Sequence, residues 1–270
     1  MNASVHPAVA GLVDSHCHLD RLDLTAHDGD FDAMMRAAAE AGVSHMLCIG
    51  VDLESFPQVL AVAETWPQVY ATVGVHPLYR KSRAATTEEL VRHAQHPKVV
   101  AIGETGLDYF YAGDDPSWQH ERFVAHILAA RQTGLPLVIH TRDARADTLA
   151  MLREHGGGEV RGVLHCFTED LAMAEAAIAM GFMISISGIV TFRNAEPLRD
   201  VVRALPLEHL LIETDSPWLA PVPHRGKQNE PRFVADVARC VAGLKGVPVE
   251  HVAACTRDNF FRLFNKARPV

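Results

Sequence analysis

Positive charge, paired cysteines and long apolar runs are all scarce in this 270-residue chain. Lysine and arginine number 25 against 33 aspartates and glutamates, a formal charge of -8. That excludes a protein that coats nucleic acid non-specifically, because neutralising a run of phosphates takes a Lys/Arg surface. It does not exclude a site that engages phosphate through a metal. The five cysteines include no CxxC pair and do not suggest a disulfide framework, so a reducing cytoplasm is the expected compartment. No apolar stretch reaches the roughly 18 to 20 residues that span a bilayer. Residues Met1 to Leu12 carry no Lys or Arg and no long apolar core, and neither a signal peptide nor a membrane anchor is expected. No Gly/Ser/Pro-rich linker or charge run divides the chain, which is expected to form one domain over residues 1–270. Hydrophobic residues at 48% and charged residues at 21% exclude disorder and fibrous repeats.

What the chain does have is histidine, sixteen residues of it, and a regular alternation of short β-type runs with helical ones. The expected strands are Leu12 to His18, His45 to Gly50, Val69 to His76, Val99 to Glu104, Leu137 to His140, Gly162 to His165, Phe182 to Ser187 and Leu210 to Thr214. Behind Asp30, a good N-cap residue, Phe31, Met34, Met35 and Ala38 follow helical spacing. A helix is expected to start at Asp115 and Pro116, with Val124, Ile127 and Leu128 facing inward. Phe233, Val237, Val241 and Leu244 make a further apolar stripe. Roughly eight βα units in a chain close to 250 residues predict an α/β fold, a (β/α)8 TIM barrel. The competing doubly wound sheet is disfavoured, because His16 and His18, and not a glycine-rich phosphate turn, follow the first strand.

The chemistry gathers at strand ends. His16 and His18 share a parity on strand one, with Cys17 in the opposite layer. Two imidazoles at the C-terminal end of a barrel strand make half of a Zn-type site. Further expected strands end in Glu104, His140, His165 and Asp215, on the face where barrel enzymes place their chemistry. Four imidazoles and two carboxylates exceed what one tetrahedral ion with an open position takes, so two divalent ions are the natural count. Glu104 has the two oxygens a bridge needs, and Asp215 suits a proton acceptor for an attacking water. Glu213 lies deeper on the parity of Asp215, as a group supporting a neighbour by hydrogen bonding, and Cys166, of opposite parity to His165, is expected in the core.

An ordered set of motifs accompanies these residues: Asp14-Ser15-His16-Cys17-His18-Leu19-Asp20, Gly74-Val75-His76-Pro77, Gly103-Glu104-Thr105-Gly106-Leu107-Asp108, His140-Thr141-Arg142-Asp143-Ala144, His165-Cys166-Phe167-Thr168, Glu213-Thr214-Asp215-Ser216-Pro217 and Arg225-Gly226-Lys227-Gln228-Asn229-Glu230-Pro231. From Asp14 to about Phe264 the chain resembles the TatD-type metal-dependent hydrolases, in the branch that keeps an HxH pair on strand one. The resemblance implies an amidohydrolase-type barrel and a deoxyribonuclease of exonuclease type that cleaves phosphodiesters with a water activated by two metals. It implies one metal on His16, His18, Glu104 and Asp215 and the other on Glu104, His140 and His165, with Asp215 and Glu104 as the catalytic carboxylates. His76 is assigned by the resemblance to phosphate contact. The chain departs from the family's usual pattern at Glu169 and Asp170, acids suited to a helix N-terminus.

Arg225 and Lys227, in the loop after strand eight, are expected to reach phosphate oxygens, and Arg80, Lys81 and Arg83 to join them in a local positive rim. Trp218 and Tyr79 are candidates for stacking on a base. The substrate is expected to be DNA, with RNA left open, and the metals Zn, Mg or Mn; no membrane and no obligate protein partner is expected. The rival readings are an amidohydrolase or phosphotriesterase-like lactonase acting on a small molecule, and a metal-binding protein without catalysis. Many lactonase-type sites use a modified Lys as bridge, and Glu104 stands here at the comparable strand end with no Lys beside it.

Overall fold

A computed structural model describes residues 8–113 and 115–270. Residues 1–7 and 114, and with them part of the N-terminal stretch expected to lack a leader and of the domain set at 1–270, lie outside the described residues. The elements run β1 (Leu12–Cys17), α1 (Phe31–Glu40), β2 (Val43–Cys48), α2 (Phe56–Thr65), β3 (Val69–Val73), α3 (Thr87–Ala94), β4 (Val99–Asp108), α4 (Ser117–Thr133), β5 (Leu137–Arg142), α5 (Arg145–Gly156), β6 (Gly162–Leu164), α6 (Leu171–Ala179), β7 (Phe182–Ile186), α7 (Glu196–Ala204), β8 (Leu210–Ile212), α8 (Val234–Lys245) and α9 (Val249–Leu263). The eight strands pair in sequence order, all parallel. This is the expected α/β barrel.

Strands β8 and β1 meet at the C-terminal mouth. There Asp215 N donates to His16 O at 2.9 Å and His18 N to Ser216 O at 2.8 Å. Below them the Asp14 carboxylate accepts from Thr214 N at 2.8 Å and Thr214 Oγ1 at 2.5 Å. A buried carboxyl group that takes backbone and hydroxyl donors from the segment just past β8 ties the seam.

Two apolar layers hold the barrel. The larger lies between sheet and helices and includes Leu12, Met46, Ile102, Phe123, Ile127 and Val237. The smaller fills the barrel with Val13, Val100, Val138, Val163, Met183 and Leu211, and Phe260 and Phe264 from the end of the chain pack against it. Burying large side chains at about 1.5–3 kcal/mol each makes this plug a major contributor to stability. The chemistry is left to the opposite end.

Several boundaries differ from those expected from the sequence. β1 stops at Cys17, β3 at Val73, β6 at Leu164 and β8 at Ile212, short of the expected ends, and only single backbone bonds such as His165 N to Ile139 O and Glu213 N to Ile186 O, both 3.0 Å, run past them. β4 and β5 do the reverse and stay paired up to Asp108 and Arg142. The register slips between Ile102 and Thr105 in β4, and between Asp14 and Cys17 in β1. Such bulges re-aim side chains, and these two fall on Glu104 and His16. The α4 helix starts at Ser117, one residue past Pro116, with Asp115 accepting from Ser117 N at 2.9 Å. Its buried face is Phe123, Ile127 and Ala130, with Val124 and Leu128 half-buried.

Candidate metal centre

A cavity of about 830 Å³ opens at the C-terminal ends of the strands, with His18, His76, Glu104, His140, His165 and Asp215 in its lining. Glu104 lies at its centre. Its Oε1 is 2.8 Å from His165 Nε2, 3.1 Å from His76 Nε2 and 3.5 Å from His140 Nδ1. Its other oxygen, Oε2, is 3.4 Å from His16 Nε2. Asp215 Oδ1 stands 3.4 Å from His18 Nε2 and 3.6 Å from His16 Nε2. His16 stacks on His165 with ring centroids 3.8 Å apart. Each oxygen of the carboxylate thus faces a different set of imidazoles.

Outer partners fix these rings. Asp108 Oδ2 accepts from His140 Nε2 at 2.8 Å, which leaves Nδ1 turned to Glu104. Glu213 lies 3.4 Å from His165 Nδ1 and accepts from Cys166 N at 2.8 Å, so it supports His165 as expected. Asp215 itself sits at φ 56°, a left-handed conformation uncommon outside glycine and concentrated at functional sites. Asn229 holds its turn from behind, donating to Thr214 O at 2.8 Å and Trp218 O at 2.6 Å.

Burial pushes the Glu104 carboxyl up, but His165, His76, His140 and His16 outweigh it and hold the group well below its usual range. Asp215 follows the same logic: burial opposes ionisation, and His18, His16 and His165 bring the net shift below the ordinary value. Burial works against a charged His165, yet Glu104 and Glu213 raise it well above normal. His16 moves down, through burial and then the neighbouring His165.

Donor atoms gather in three clusters within 4.8 Å: His16, His18 and Glu104; His76, Glu104 and His140; and His16, His165 and Glu213. Both ring nitrogens of His16 and Nδ1 of His18 are buried without a hydrogen-bond partner. Unpartnered buried nitrogens are costly and rare. Neutral imidazole beside carboxylate is the donor set that a borderline divalent ion takes, and the residues present fit such an ion.

The chain as a whole is similar to known proteins. The family described as TatD related DNase matches residues 13–265. The chain is 50% identical to the uncharacterized metal-dependent hydrolase YcfH of Escherichia coli K12, over 94% of this chain and 96% of that one. It is 41% identical to the uncharacterized metal-dependent hydrolase TatD of Mycobacterium tuberculosis, over 94% and 97%. The crystal structure of YjjV, a TatD homologue of E. coli, superposes with a TM-score of 0.87 at 31% identity, covering 95% of this chain and 99% of that one. This chain belongs to the TatD-related DNase family.

Around that TatD-type cavity the structure departs from several expectations. Arg225 does not line it: the guanidinium lies 3.8 Å over the Phe192 ring and donates to Ala220 O at 3.2 Å. Lys227 faces a separate groove, Arg80 lies over Trp118, and Arg83 pairs with Glu89 at 2.6 Å. None of these residues borders the cavity, so the expected positive rim does not form there. His76, expected at phosphate, lines the cavity and also reaches the same Glu104 oxygen as His165 and His140. Cys166 is not a core residue: it lines the cavity at φ 43°, with Sγ 3.2 Å from Ser187 Oγ. Parity failed there because β6 ends at Leu164. Trp218 and Tyr79 both border the cavity, Trp218 at 48% exposure. Asp170 caps α6 through Met173 N at 2.9 Å, while Glu169 pairs with Arg145.

Asp108 and Arg142 stand within the sequence motifs, where no local pattern points to a role for either. Arg142 shares the parity of His140 two residues on, a signal hidden while strand five was ended at His140. Gln119 also escaped notice. Buried on α4, it accepts from Asp108 N at 2.8 Å and donates to Pro77 O at 3.2 Å, bracing the β4 and β3 ends of the site.

Proposed function

We propose that this TatD-family metal-dependent hydrolase is a deoxyribonuclease that removes nucleotides from a DNA end by phosphodiester hydrolysis. His16, His18, Glu104 and Asp215 would hold one divalent ion, and Glu104, His140 and His165 a second, with His76 beside them. The observation that carries the two-ion count is the division of Glu104, whose Oε1 faces His165, His76 and His140 while Oε2 faces His16 at 3.4 Å. Divalent ions held there supply the positive charge that polarises a phosphate and eases ionisation of an attacking water.

The chain's own groups do the rest. Glu104 and Asp215 are kept ionised by their imidazole neighbours, so the centre attracts cations before substrate arrives. Asp215, which lines the cavity with its side chain 14% exposed, is placed to accept the proton of the attacking water. Asp108 and Glu213 hold the His140 and His165 rings in one orientation, which spares reorganisation when substrate binds. A carboxylate in the central position, where many lactonase sites carry a modified lysine, favours phosphodiester over lactone hydrolysis. The donor set accepts Zn, Mg or Mn.

The test is a digest of end-labelled single- and double-stranded DNA and RNA by chelated protein resupplied with Mg, Mn or Zn, with a lactone panel in parallel. Stepwise shortening of DNA from one end, lost in Asp215→Ala and His140→Ala, is expected. No cleavage of DNA under any metal, or turnover confined to lactones, defeats the nuclease reading.

A further inference from the structure

Arg142 is the one Lys or Arg side chain that lines the cavity among the described residues. It ends β5, two residues beyond His140 and on the same parity, so both side chains leave the strand toward the mouth. At about 3.3 Å per residue Arg142 stands about 6.6 Å further out than His140, the scale of one nucleotide step along an extended strand. No ion pair is formed by its guanidinium among the described residues, in a chain whose Arg36, Arg83, Arg145, Arg199 and Arg203 all find acids.

Aromatic rings hold the group instead. Its Cζ lies 4.0 Å from the centroid of Phe110 and 4.8 Å from that of Tyr111. These rings are 56% and 61% exposed and meet edge to face at 4.6 Å. The turn carrying them is fixed at both ends. Tyr111 N donates to Asp108 Oδ1 at 2.8 Å, and the Tyr109 hydroxyl bonds to His120 at 2.7 Å and Asp147 at 2.5 Å. A guanidinium stacked on a ring keeps its in-plane N–H fork free, which is the geometry that grips two oxygens of one phosphate. Large exposed aromatics beside a cavity also mark a contact surface, since soluble chains seldom leave them uncovered without use.

We propose that Arg142, held by Phe110 and Tyr111, recognises the phosphate next to the one being cut and sets where the strand lies across the cavity. This rests on the nuclease reading and gives the substrate side of the site the cation that Arg225 does not supply. Carboxylates already crowd the cavity in Glu104, Asp108 and Asp215. A second phosphate entering that field needs a cation of its own, and Arg142 provides it where metal-held charge does not reach.

The test is steady-state cleavage of a single-stranded oligonucleotide by wild type, Arg142→Met, Arg142→Lys and the Phe110→Ala/Tyr111→Ala pair, across a salt series. Bis(p-nitrophenyl) phosphate, which carries a single phosphate, is run in parallel, and metal content is measured on each variant. Arg142→Met is expected to raise KM for the oligonucleotide at least about tenfold, with a much smaller change in kcat. The slope of log KM against log salt should become shallower by about 0.7, the signature of one lost phosphate contact on a single strand. Arg142→Lys should restore the slope and only part of KM, and the aromatic pair should raise KM at an unaltered slope. The loss on bis(p-nitrophenyl) phosphate should be smaller than on the oligonucleotide. An unchanged KM and slope in Arg142→Met, a fall confined to kcat, or equal losses on both substrates overturns the assignment while the nuclease reading stands. A wild type that cuts no oligonucleotide removes both.

Discussion

Asp108 Oδ2 accepts the Nε2 proton of His140 at 2.8 Å, and that bond decides which nitrogen the ring offers to the cavity. The second oxygen of the same carboxylate accepts from Tyr111 N at 2.8 Å, so one side chain orients both a candidate metal ligand and the aromatic lip. Asp108→Asn keeps the shape but turns one acceptor into a donor, breaking one of the two bonds. Outer partners of this kind typically contribute 10–100-fold in metal affinity. A competition titration with a metal-buffering dye should find affinity weaker by about that factor. Affinity equal to wild type would mean that His140 needs no such orientation.

Metal binding and protons should compete at His165. Glu104 and Glu213 outweigh burial and raise this imidazole well above its ordinary value, and Asp108 and Glu104 likewise raise His140 against burial. In the metal-free chain these rings hold their protons more tightly than a free imidazole does, and a ligand must give its proton up before it coordinates. Affinity should therefore climb as pH rises from 6 toward the raised values and level off above them. Isothermal titration in buffers of differing ionisation enthalpy checks this, by showing proton release that shrinks with pH. A flat affinity profile with no proton release would contradict it.

How far the sequence alone reaches is visible in individual residues. His16, Glu104, His140 and His165 were legible because an apolar run that stops at an imidazole or carboxylate is a local pattern. Arg142 and Asp108 were passed over because β4 and β5 continue only through the β4 bulge, a pairing between distant segments that a local reading cannot see. Arg225 was misplaced for a related reason. Its position in a loop after β8 points it to the mouth, but the guanidinium lies over the Phe192 ring, 33 residues earlier, and donates to Ala220 O at 3.2 Å, outside the cavity lining. Cys166 shows the limit of strand parity, which has no meaning past Leu164, where the backbone turns into the left-handed region.

Two glycines should respond oppositely to alanine. Gly106 pairs with His140 at φ 129°, and a Cβ there would come within 2.0 Å of His140 O. Gly106→Ala must part the β4–β5 ladder just where it carries His140 and Asp108, at a cost of more than about 2 kcal/mol. Gly243 lies exposed inside α8, with nothing within 4 Å of its Cβ position and no unusual φ. Gly243→Ala should stabilise by about 0.5–1 kcal/mol, from helix propensity alone. Urea midpoints that move the same way in both variants would refute this account of the β4 bulge.

His126 gives the fold an acid-sensitive point away from the cavity. Fully buried on α4, it accepts from Val75 N through Nε2 at 2.9 Å, and its Nδ1 donates to Arg122 O at 2.7 Å. Both nitrogens are committed in the neutral form, and a second proton would confront the Val75 N–H directly. Burial accordingly pushes the ring down to about 4. Between pH 4 and 6.5 the unfolded chain binds a proton that the folded chain refuses, so the contribution is complete above pH 6.5 and is lost as pH falls toward 4. At 1.36 kcal/mol per pH unit the loss amounts to about 3 kcal/mol. His126→Phe keeps the packing and abolishes the titration, while leaving Val75 N unpaired at a cost of about 1–3 kcal/mol. Wild type should be the more stable at pH 8, and its lead over the variant, read from urea midpoints, should shrink by about 3 kcal/mol on going to pH 4. Taking the difference cancels titration of the metal centre, which both proteins share. A lead that stays constant across that range would show that His126 is free to charge in the folded state.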